Sequence, residues 1–345
     1  MNYVISINDG QNSSLVLYDL NKNKIVFAVQ EERFNKIKEY IGFPRLSFEF
    51  ILDKYKISNE DIKCICLSDL VSPNFSNEDF LKSYEFYSTT ILEDLANLKI
   101  SQVLKKTYKS KKLNQIKKTL NLIKLFRLKK NKANQNLLNI LEKYKIDQSK
   151  IIRTKHHFNH AAAAYYGCAE NENDEHLVIT LDGGGDGDCS NVYIAKKNEM
   201  RLIAKTSAGN SLGNIYSRVT YMLGMQPHSH EYKLMGMAPY ANPNHIEQIC
   251  KKFFSYLDLD PNNLLEFKRN IPEETHKILP RLLKDFKMSR FDNLCGGLQL
   301  YTEKLIVKWI KAIIAKTKIK KIVCGGGVFM NIKVNKIISE IPEID

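Results

Sequence analysis

The chain has 345 residues, of which 43% are hydrophobic and 26% charged, and its formal net charge is +14. This composition is ordinary for a globular protein of one or two domains, and we expect neither a membrane span nor a secretory signal, because no long apolar stretch or basic leader is present. The seven cysteines form no CxxC pair, so we expect reduced thiols in a cytoplasmic protein, without a zinc ribbon or a disulfide framework.

Three short runs rich in β-branched and aromatic residues open the chain: "YVISIND", "SLVLYDL" and "KIVFAVQEERF". Turn residues separate them, so the pattern predicts a β-meander. We expect a helix near residues 47–55 and strands at "IKCICLSDL" and "IIRT". A further helix is expected to begin in "HHFNHAAAAYYG".

A basic segment lies between the last two of these strands. No acidic residue occurs between Asp94 and Glu142, while residues 99–132 contain thirteen lysines and arginines. Apolar residues recur there at helical spacing, which predicts basic amphipathic helices inserted at about residues 95–148. They fit a solvated insertion, a patch for a phosphorylated substrate or polyanion, or a membrane-surface helix.

The second half of the chain repeats the order of the first. Three strands are expected in "HLVITLDGGGDGD", "SNVYIAKK" and "MRLIAKTSAG", then a helix from near Leu212, and later a strand, turn and helix in "KKIVCGGGVFMNIKVNKII". This order predicts an α/β fold of duplicated ribonuclease-H-like lobes with a central cleft, as in actin, Hsp70 and sugar kinases. We place the first lobe at residues 1–165 and the second at residues 166–345.

Two glycine-rich turns follow predicted strands, in "LDGGGDGD" and "CGGGVFMN". Glycine lets backbone N–H groups face phosphate oxygens without a Cβ in the way, and a helix N-terminus favours an anion. A polar hairpin or close helix–strand packing would need the same glycines, but a split nucleotide cleft requires two such turns. The residues predicted to bind nucleotide or phosphate, with carboxylates able to hold Mg²⁺, are Asp182, Gly183, Gly184, Gly185, Asp186, Gly325, Gly326, Gly327 and Asn331.

The segment "KHHFNHAAAAYYG" places His156 and His160 one turn apart on a helix, where two imidazoles can share a metal ion. His157 is expected to point elsewhere. The glutamate of HExxH is missing, which disfavours zinc proteolysis. Surface or hydrogen-bonded histidines on an ordinary helix are the alternative.

The segment "GMQPHSHEYKLMGMAPY" indicates a binding loop at residues 228–233. Lys233 could neutralise a phosphate there, and His230 or Glu231 could transfer a proton. A solvated loop is the alternative.

These motifs occur together with "SSLVLYDLNKNKIVFAVQEERFNKIKEYIGFP" and "LQLYTE" in one order along nearly the whole chain. In this the sequence resembles the carbamoyltransferases of the nodulation-factor and antibiotic-tailoring type. The resemblance implies O-carbamoylation of a sugar or another small-molecule hydroxyl, with carbamoyl phosphate as donor and ATP with Mg²⁺.

The resemblance also implies a fold similar to that of the tRNA threonylcarbamoyl transferase, with Fe²⁺ or another divalent metal held by His156 and His160. A separate adenylating domain would make carbamoyl-adenylate, and the metal domain would transfer its carbamoyl group. Lys233 is expected to stabilise charge, with His230 and Glu231 beside it. Ser13 and Ser14 belong to the family's first phosphate-type turn.

Against this family pattern, we expect a second lobe truncated at its C-terminus, an absent adenylating domain and a third metal ligand beyond Asp345. A separate adenylating chain and a homo-oligomer are therefore the expected protein partners, and nucleic acid is not. Two other classes stay open: a non-catalytic remnant that binds nucleotide, and a tRNA threonylcarbamoyl-transferase-like enzyme whose basic helices contact RNA phosphates.

Overall fold

The structure, a computed structural model, describes residues 2–70, 136–169 and 171–345. The chain divides into two compact units, Met1–Lys155 and His156–Asp345. The division falls before the histidine helix, whereas the sequence placed it between residues 165 and 166, because this helix packs on the sheet of the second unit. Most of the predicted basic insertion lies outside the described residues.

The first unit is built on a five-stranded sheet with the order β3-β2-β1-β4-β5. β1, β2 and β3 form the predicted antiparallel meander, and β4 and β5 continue the sheet parallel to β1. The strands are β1 (Tyr3–Asn8), β2 (Ser14–Asp19), β3 (Lys24–Gln30), β4 (Ile62–Leu67) and β5 (Ile151–Arg153). The helices are α1 (Glu32–Asn35), α2 (Arg45–Lys54) and α3 (136–143).

The core of the first unit follows from the two-residue period of its strands. Leu15 and Leu17 of β2 are fully buried, while the alternating Ser14, Val16 and Tyr18 are only partly buried. With their neighbours in β1 they pack against Phe48 and Ile51 of α2. Successive strand side chains point to opposite faces, so this alternation directs one face of the meander to the core.

The second unit repeats this sheet order. Its main sheet has the order β11-β6-β7-β8, in which β6, β7 and β8 are an antiparallel meander and β11 is parallel to β6. The strands are β6 (His176–Gly185), β7 (Asp188–Lys196), β8 (Glu199–Ser207), β9 (Leu257–Asp260), β10 (Asn263–Arg269) and β11 (Ile322–Gly325). β11 stands to β6 as β4 stands to β1, so the predicted duplicated ribonuclease-H-like α/β class is confirmed.

Seven helices of the second unit surround its sheets in the described part of the chain. The longest one carries Trp309, which is fully buried and donates from Nε1 to the carbonyl of Leu265 at 2.8 Å. The helices are α4 (His156–Cys168), α5 (Leu212–Met222), α6 (Glu231–Met237), α7 (Pro243–Phe254), α8 (Leu279–Phe286), α9 (Phe291–Thr317) and α10 (Ile332–Ser339).

One difference from the sequence-based expectation affects the site. The binding loop expected at residues 228–233 ends earlier, because α6 begins at Glu231 and places Lys233 on a helix. Within the described residues, we find no helix with both the length and the apolar character that a membrane crossing needs.

Candidate metal centre and adjoining pocket

Helix α4 presents two histidines to the end of strand β6. His156 and His160 are four residues apart, so their rings lie one turn apart on one face. The Nε2 atoms of the two rings are 3.1 Å apart. Four alanines follow His160, and Ala161 and Ala164 are buried against the sheet. These small side chains let the helix axis approach β6 closely.

Asp182 of β6 completes this group. Its Oδ2 lies 3.1 Å from Nε2 of His156 and 2.9 Å from Nε2 of His160. The three atoms therefore form a nearly equilateral triangle, although the residues come from two elements. From the sequence we assigned Asp182 to phosphate and looked for a third metal ligand beyond Asp345. The structure instead brings a carboxylate to both histidines from within the chain.

Glycines make the approach of these elements possible. A Cβ on Gly185 would lie 2.1 Å from Cγ of His156, and one on Gly325 would lie 2.7 Å from the carbonyl oxygen of His160. Real Cβ atoms do not come this close to other heavy atoms, so both positions exclude side chains. β11 is parallel to β6, and its turn therefore reaches the same sheet edge as Asp182.

The surroundings of Asp182 favour its ionised carboxylate. Its burial by itself would raise the pKa of the carboxyl group. Hydrogen bonds and charge from His156 and His160 together outweigh burial and hold the pKa of Asp182 well below its ordinary value. The side chains of the three residues are 25–33% exposed, so the group is partly accessible to solvent.

These donors fit a divalent transition metal. Three ligand atoms bound at about 2.1 Å and about 90° to one another lie about 3 Å apart, which matches the observed triangle. Two imidazoles and one carboxylate on one face are also the ligand set of many non-haem Fe(II) sites. Only His156, His160 and Asp182 form such a cluster in the part of the chain that the structure describes.

An open pocket of about 340 Å³ adjoins the centre at the turn that joins β6 to β7. His228 and Asn214 lie beside Gly183, whereas His156 lies beside Gly185, so the same turn borders both features. Burial, and next the neighbouring Lys277, lowers the pKa of His276, which favours its neutral ring. The pocket is lined by Gly183, Gly184, Gly185, Asp186, Gly187, Ala208, Asn214, His228 and His276.

Several residues predicted to bind nucleotide or phosphate have structural partners. Oδ2 of Asp186 accepts from the backbone N–H of His156 at 2.9 Å and so caps α4. Asn331 caps α10 by accepting from Val334, and its amide nitrogen donates to Gln299. Their assignment to phosphate stays a prediction.

The phosphate-type turn of the first unit joins β1 to β2. Ser13 is buried there and donates from Oγ to the carbonyl of Gly42 at 2.7 Å, while Ser14 begins β2. The buried hydroxyl of Ser13 therefore already has a structural partner. The role of both serines in phosphate binding stays a prediction.

The three predicted catalytic residues lie in or next to α6. Nδ1 of His230 accepts from the backbone N–H of Gln226 at 3.1 Å, and Oε1 of Glu231 accepts from that of His228 at 2.7 Å. Nζ of Lys233 lies 5.9 Å from the ring centre of Tyr232. His230 and Glu231 thus hold the turn that presents His228 to the pocket.

Sequence reasoning therefore missed two kinds of site residue. Asn214 and His276 of the pocket wall were not selected, because single polar residues on separate segments give no spacing pattern. His228 was included only as the first residue of the predicted binding loop, without a role of its own. Asp182 was selected for a different ligand. A signal did exist for it: an aspartate that ends a buried strand stands directly before glycines, and a helix with an HxxxH pair precedes that strand.

Comparison with known proteins adds the family. The family described as carbamoyltransferase N-terminus matches residues 11–343. An uncharacterized protein of Methanocaldococcus jannaschii is 26% identical over 341 residues, which cover 98% of this chain and 52% of the relative. Nodulation protein NolNO of Sinorhizobium fredii is 24% identical over 320 residues, which cover 90% of this chain and 40% of that relative.

The chain spans about half the length of the curated relatives it matches. Among solved structures, this chain is similar to component A of the (R)-2-hydroxyglutaryl-CoA dehydratase of Acidaminococcus fermentans. The match covers 100% of this chain and 90% of that structure. Its TM-score is 0.45 at 12% sequence identity.

Proposed function

Because the chain belongs to the carbamoyltransferase N-terminus family, as its motifs predicted, we propose that it transfers a carbamoyl group to the hydroxyl of a sugar or another small molecule. The donor in this proposal is carbamoyl-adenylate, made from carbamoyl phosphate and ATP with Mg²⁺. The observation that carries the proposal is the triangle of His156, His160 and Asp182 beside an open pocket.

The three side chains of the triangle would hold Fe²⁺ or another divalent metal through two nitrogens and one oxygen. When bound, the ion supplies Lewis acidity toward a carbonyl oxygen. Asp182 contributes a negative charge, since its pKa is lowered. The cap that Asp186 gives to α4 keeps the first ligand, His156, at the end of β6.

The pocket would bind the rest of the reactants. In the transfer, the acceptor oxygen bonds to the carbamoyl carbon as the bond from that carbon to the adenylate breaks and AMP leaves. The glycines at 183–185 line the pocket and carry no side chains, which leaves room for a phosphate group beside the backbone. We assign acceptance of the hydroxyl proton to His228 and His276, because both imidazoles line the pocket. Proton transfer by His230 or Glu231 stays a prediction.

The partners in this proposal follow from the resemblance. Carbamoyl-adenylate requires an adenylating activity, which the resemblance assigns to a further domain or chain. The identity of the acceptor, self-association and a cytoplasmic location stay predictions. So does a charge-stabilising role for Lys233.

The metal proposal is tested by replacing the ligands one at a time. We expect His156→Ala, His160→Ala and Asp182→Asn each to lower iron or cobalt content at least 10-fold, because a two-ligand remnant holds a metal weakly. His245→Ala, an exposed histidine on α7, is the matched control and should retain the metal. Metal content can be measured by inductively coupled plasma mass spectrometry after loading and desalting. Equal content in all four variants would contradict the site.

The transfer proposal needs a separate assay. With carbamoyl-adenylate supplied by an adenylating enzyme, we expect radiolabel from carbamoyl phosphate to appear in a hydroxyl acceptor only when the wild-type chain is added. The His156→Ala variant should abolish this transfer and His245→Ala should not. Equal transfer by both variants would show that the triangle takes no part in it.

A further inference from the structure

We infer that His157 is a positioning residue: its buried imidazole pins α4 to both strands of the β6–β7 hairpin and thereby sets the distance from His156 and His160 to Asp182. This inference rests on the metal site proposed above. His157 is not in the triangle, since it lies on a different face of α4. It is 1% exposed, whereas the rings of its two neighbours in the triangle are accessible.

Both ring nitrogens of His157 have a defined partner. Nε2 lies 3.0 Å from the carbonyl oxygen of Asp188, which only accepts, so Nε2 carries the proton. Nδ1 therefore accepts. The hydroxyl of Thr180 donates to it at 2.9 Å, a shorter contact than the 3.3 Å to its other acceptor, the carbonyl of Asn191. The backbone N–H of Asn191 donates in turn to that hydroxyl at 3.1 Å. The ring is thus fixed in one tautomer and one orientation.

The two partners of His157 flank the ligand on β6. Thr180 is two residues before Asp182 on the same strand, and Asp188 begins the partner strand β7. The backbone of His156 is held by the carboxylate of Asp186, in the turn between these strands. Two consecutive residues of α4 are thus tied to the hairpin that carries Asp182.

Packing alone would not need a histidine here. Ala161, Ala164 and Tyr165 already fill the contact between α4 and the sheet. A buried imidazole has to have both nitrogens satisfied, so it accepts only one placement of the helix over the hairpin, whereas an apolar side chain tolerates rotation and sliding. In known metal sites, loss of hydrogen bonds made to the ligands themselves costs roughly 10–100-fold in metal affinity. His157 acts one step further out, through the helix and the hairpin that carry the three residues.

The test is a cobalt(II) titration of the full chain, followed by the visible absorption bands of the bound ion. His157→Gln keeps an amide near the position of Nε2, and His157→Asn keeps one near that of Nδ1. We expect each to weaken cobalt affinity about 10-fold and to shift the bands. Thr180→Val should weaken cobalt affinity similarly. Thr180→Ser, which keeps the hydroxyl, should retain the affinity of the wild type.

His176→Gln is the control for a merely structural loss. His176 is also buried, at 3% exposure, and Nδ1 contacts the carbonyl of Asp174 at the far end of β6. The His176→Gln variant should have a lower melting temperature than the wild type, with unchanged cobalt bands and cobalt affinity. Unchanged affinity and bands in Thr180→Val and both His157 variants, with cobalt still bound by the wild type, would overturn the positioning role alone. Failure of the wild type to bind cobalt would overturn the metal site and this inference together.

Discussion

Gly185 lies against the ring of His156, at the point where the turn after β6 meets α4. The position has no unusual backbone angle, so its requirement for glycine is one of space. The same holds for Gly325, next to the backbone of His160. Two glycines that were predicted to expose N–H groups to phosphate thus also set how near the histidines come to the sheet.

Gly185→Ala should therefore damage the metal centre. The new methyl group would lie 2.1 Å from Cγ of His156, so the ring or the turn must move. We expect cobalt affinity to fall at least 10-fold and stability to fall by about 1–3 kcal/mol, as for overpacked cores. Gly236→Ala on α6, where a Cβ meets open space, is the control and should be neutral or stabilising. Unaltered cobalt binding by Gly185→Ala would contradict the close contact.

At the level of elements, the motif "EERF" shows how a family pattern can have a structural cause. We expected it to extend the third strand, but β3 ends at Gln30 and a short helix follows. The carboxylate of Glu31 is 2% exposed and accepts from the backbone N–H groups of Leu46 and Ser47. It therefore caps α2, whose first residue, Arg45, follows a proline that supplies no side-chain cap.

Glu31→Ala is expected to destabilise the first unit by about 2–4 kcal/mol, because it leaves two backbone donors of α2 without their charged acceptor. Urea unfolding followed by far-UV circular dichroism would measure the loss. The exposed Glu60 provides the comparison, since Glu60→Ala should change stability by less than about 0.5 kcal/mol. Similar losses in the two variants would mean that Glu31 does not act as a cap.

In the whole molecule, the three residues of the candidate metal centre belong to one compact unit. His156, His160 and Asp182 all lie after the division at Lys155, and the unit has its own core around α9. Metal binding should therefore couple to the folding of this unit. The unit as defined from the sequence would have separated the histidine helix from the strand that it packs on.

Metal should accordingly stabilise the second unit selectively. At a free metal concentration 100 times the dissociation constant, the gain is about 2.7 kcal/mol for a site absent from the unfolded chain. Hydrogen exchange should show new protection in α4 and β6 of the wild type and none in Asp182→Asn. Equal protection in the variant, or protection confined to residues 2–70, would contradict the location of the site.

The sequence by itself determined the elements and their order. Two-residue and helical periods, turn residues and glycines act over a few positions, so β1 to β3, β6 to β8 and α4 could be predicted from local patterns. The one-turn spacing of His156 and His160 follows from the same local geometry. The repeated order of strands then indicated the duplicated α/β class.

Only the tertiary structure decided which groups meet. Asp182 is 22 residues from His160, and it reaches the histidines because α4 packs across β6 with its alanines against the sheet. His228 and His276 come from separate segments and both line the pocket. The side chains of His230 and Glu231 accept hydrogen bonds from the backbone of the turn that carries His228. Such meetings depend on how whole elements pack, and no pattern within a single element records that packing.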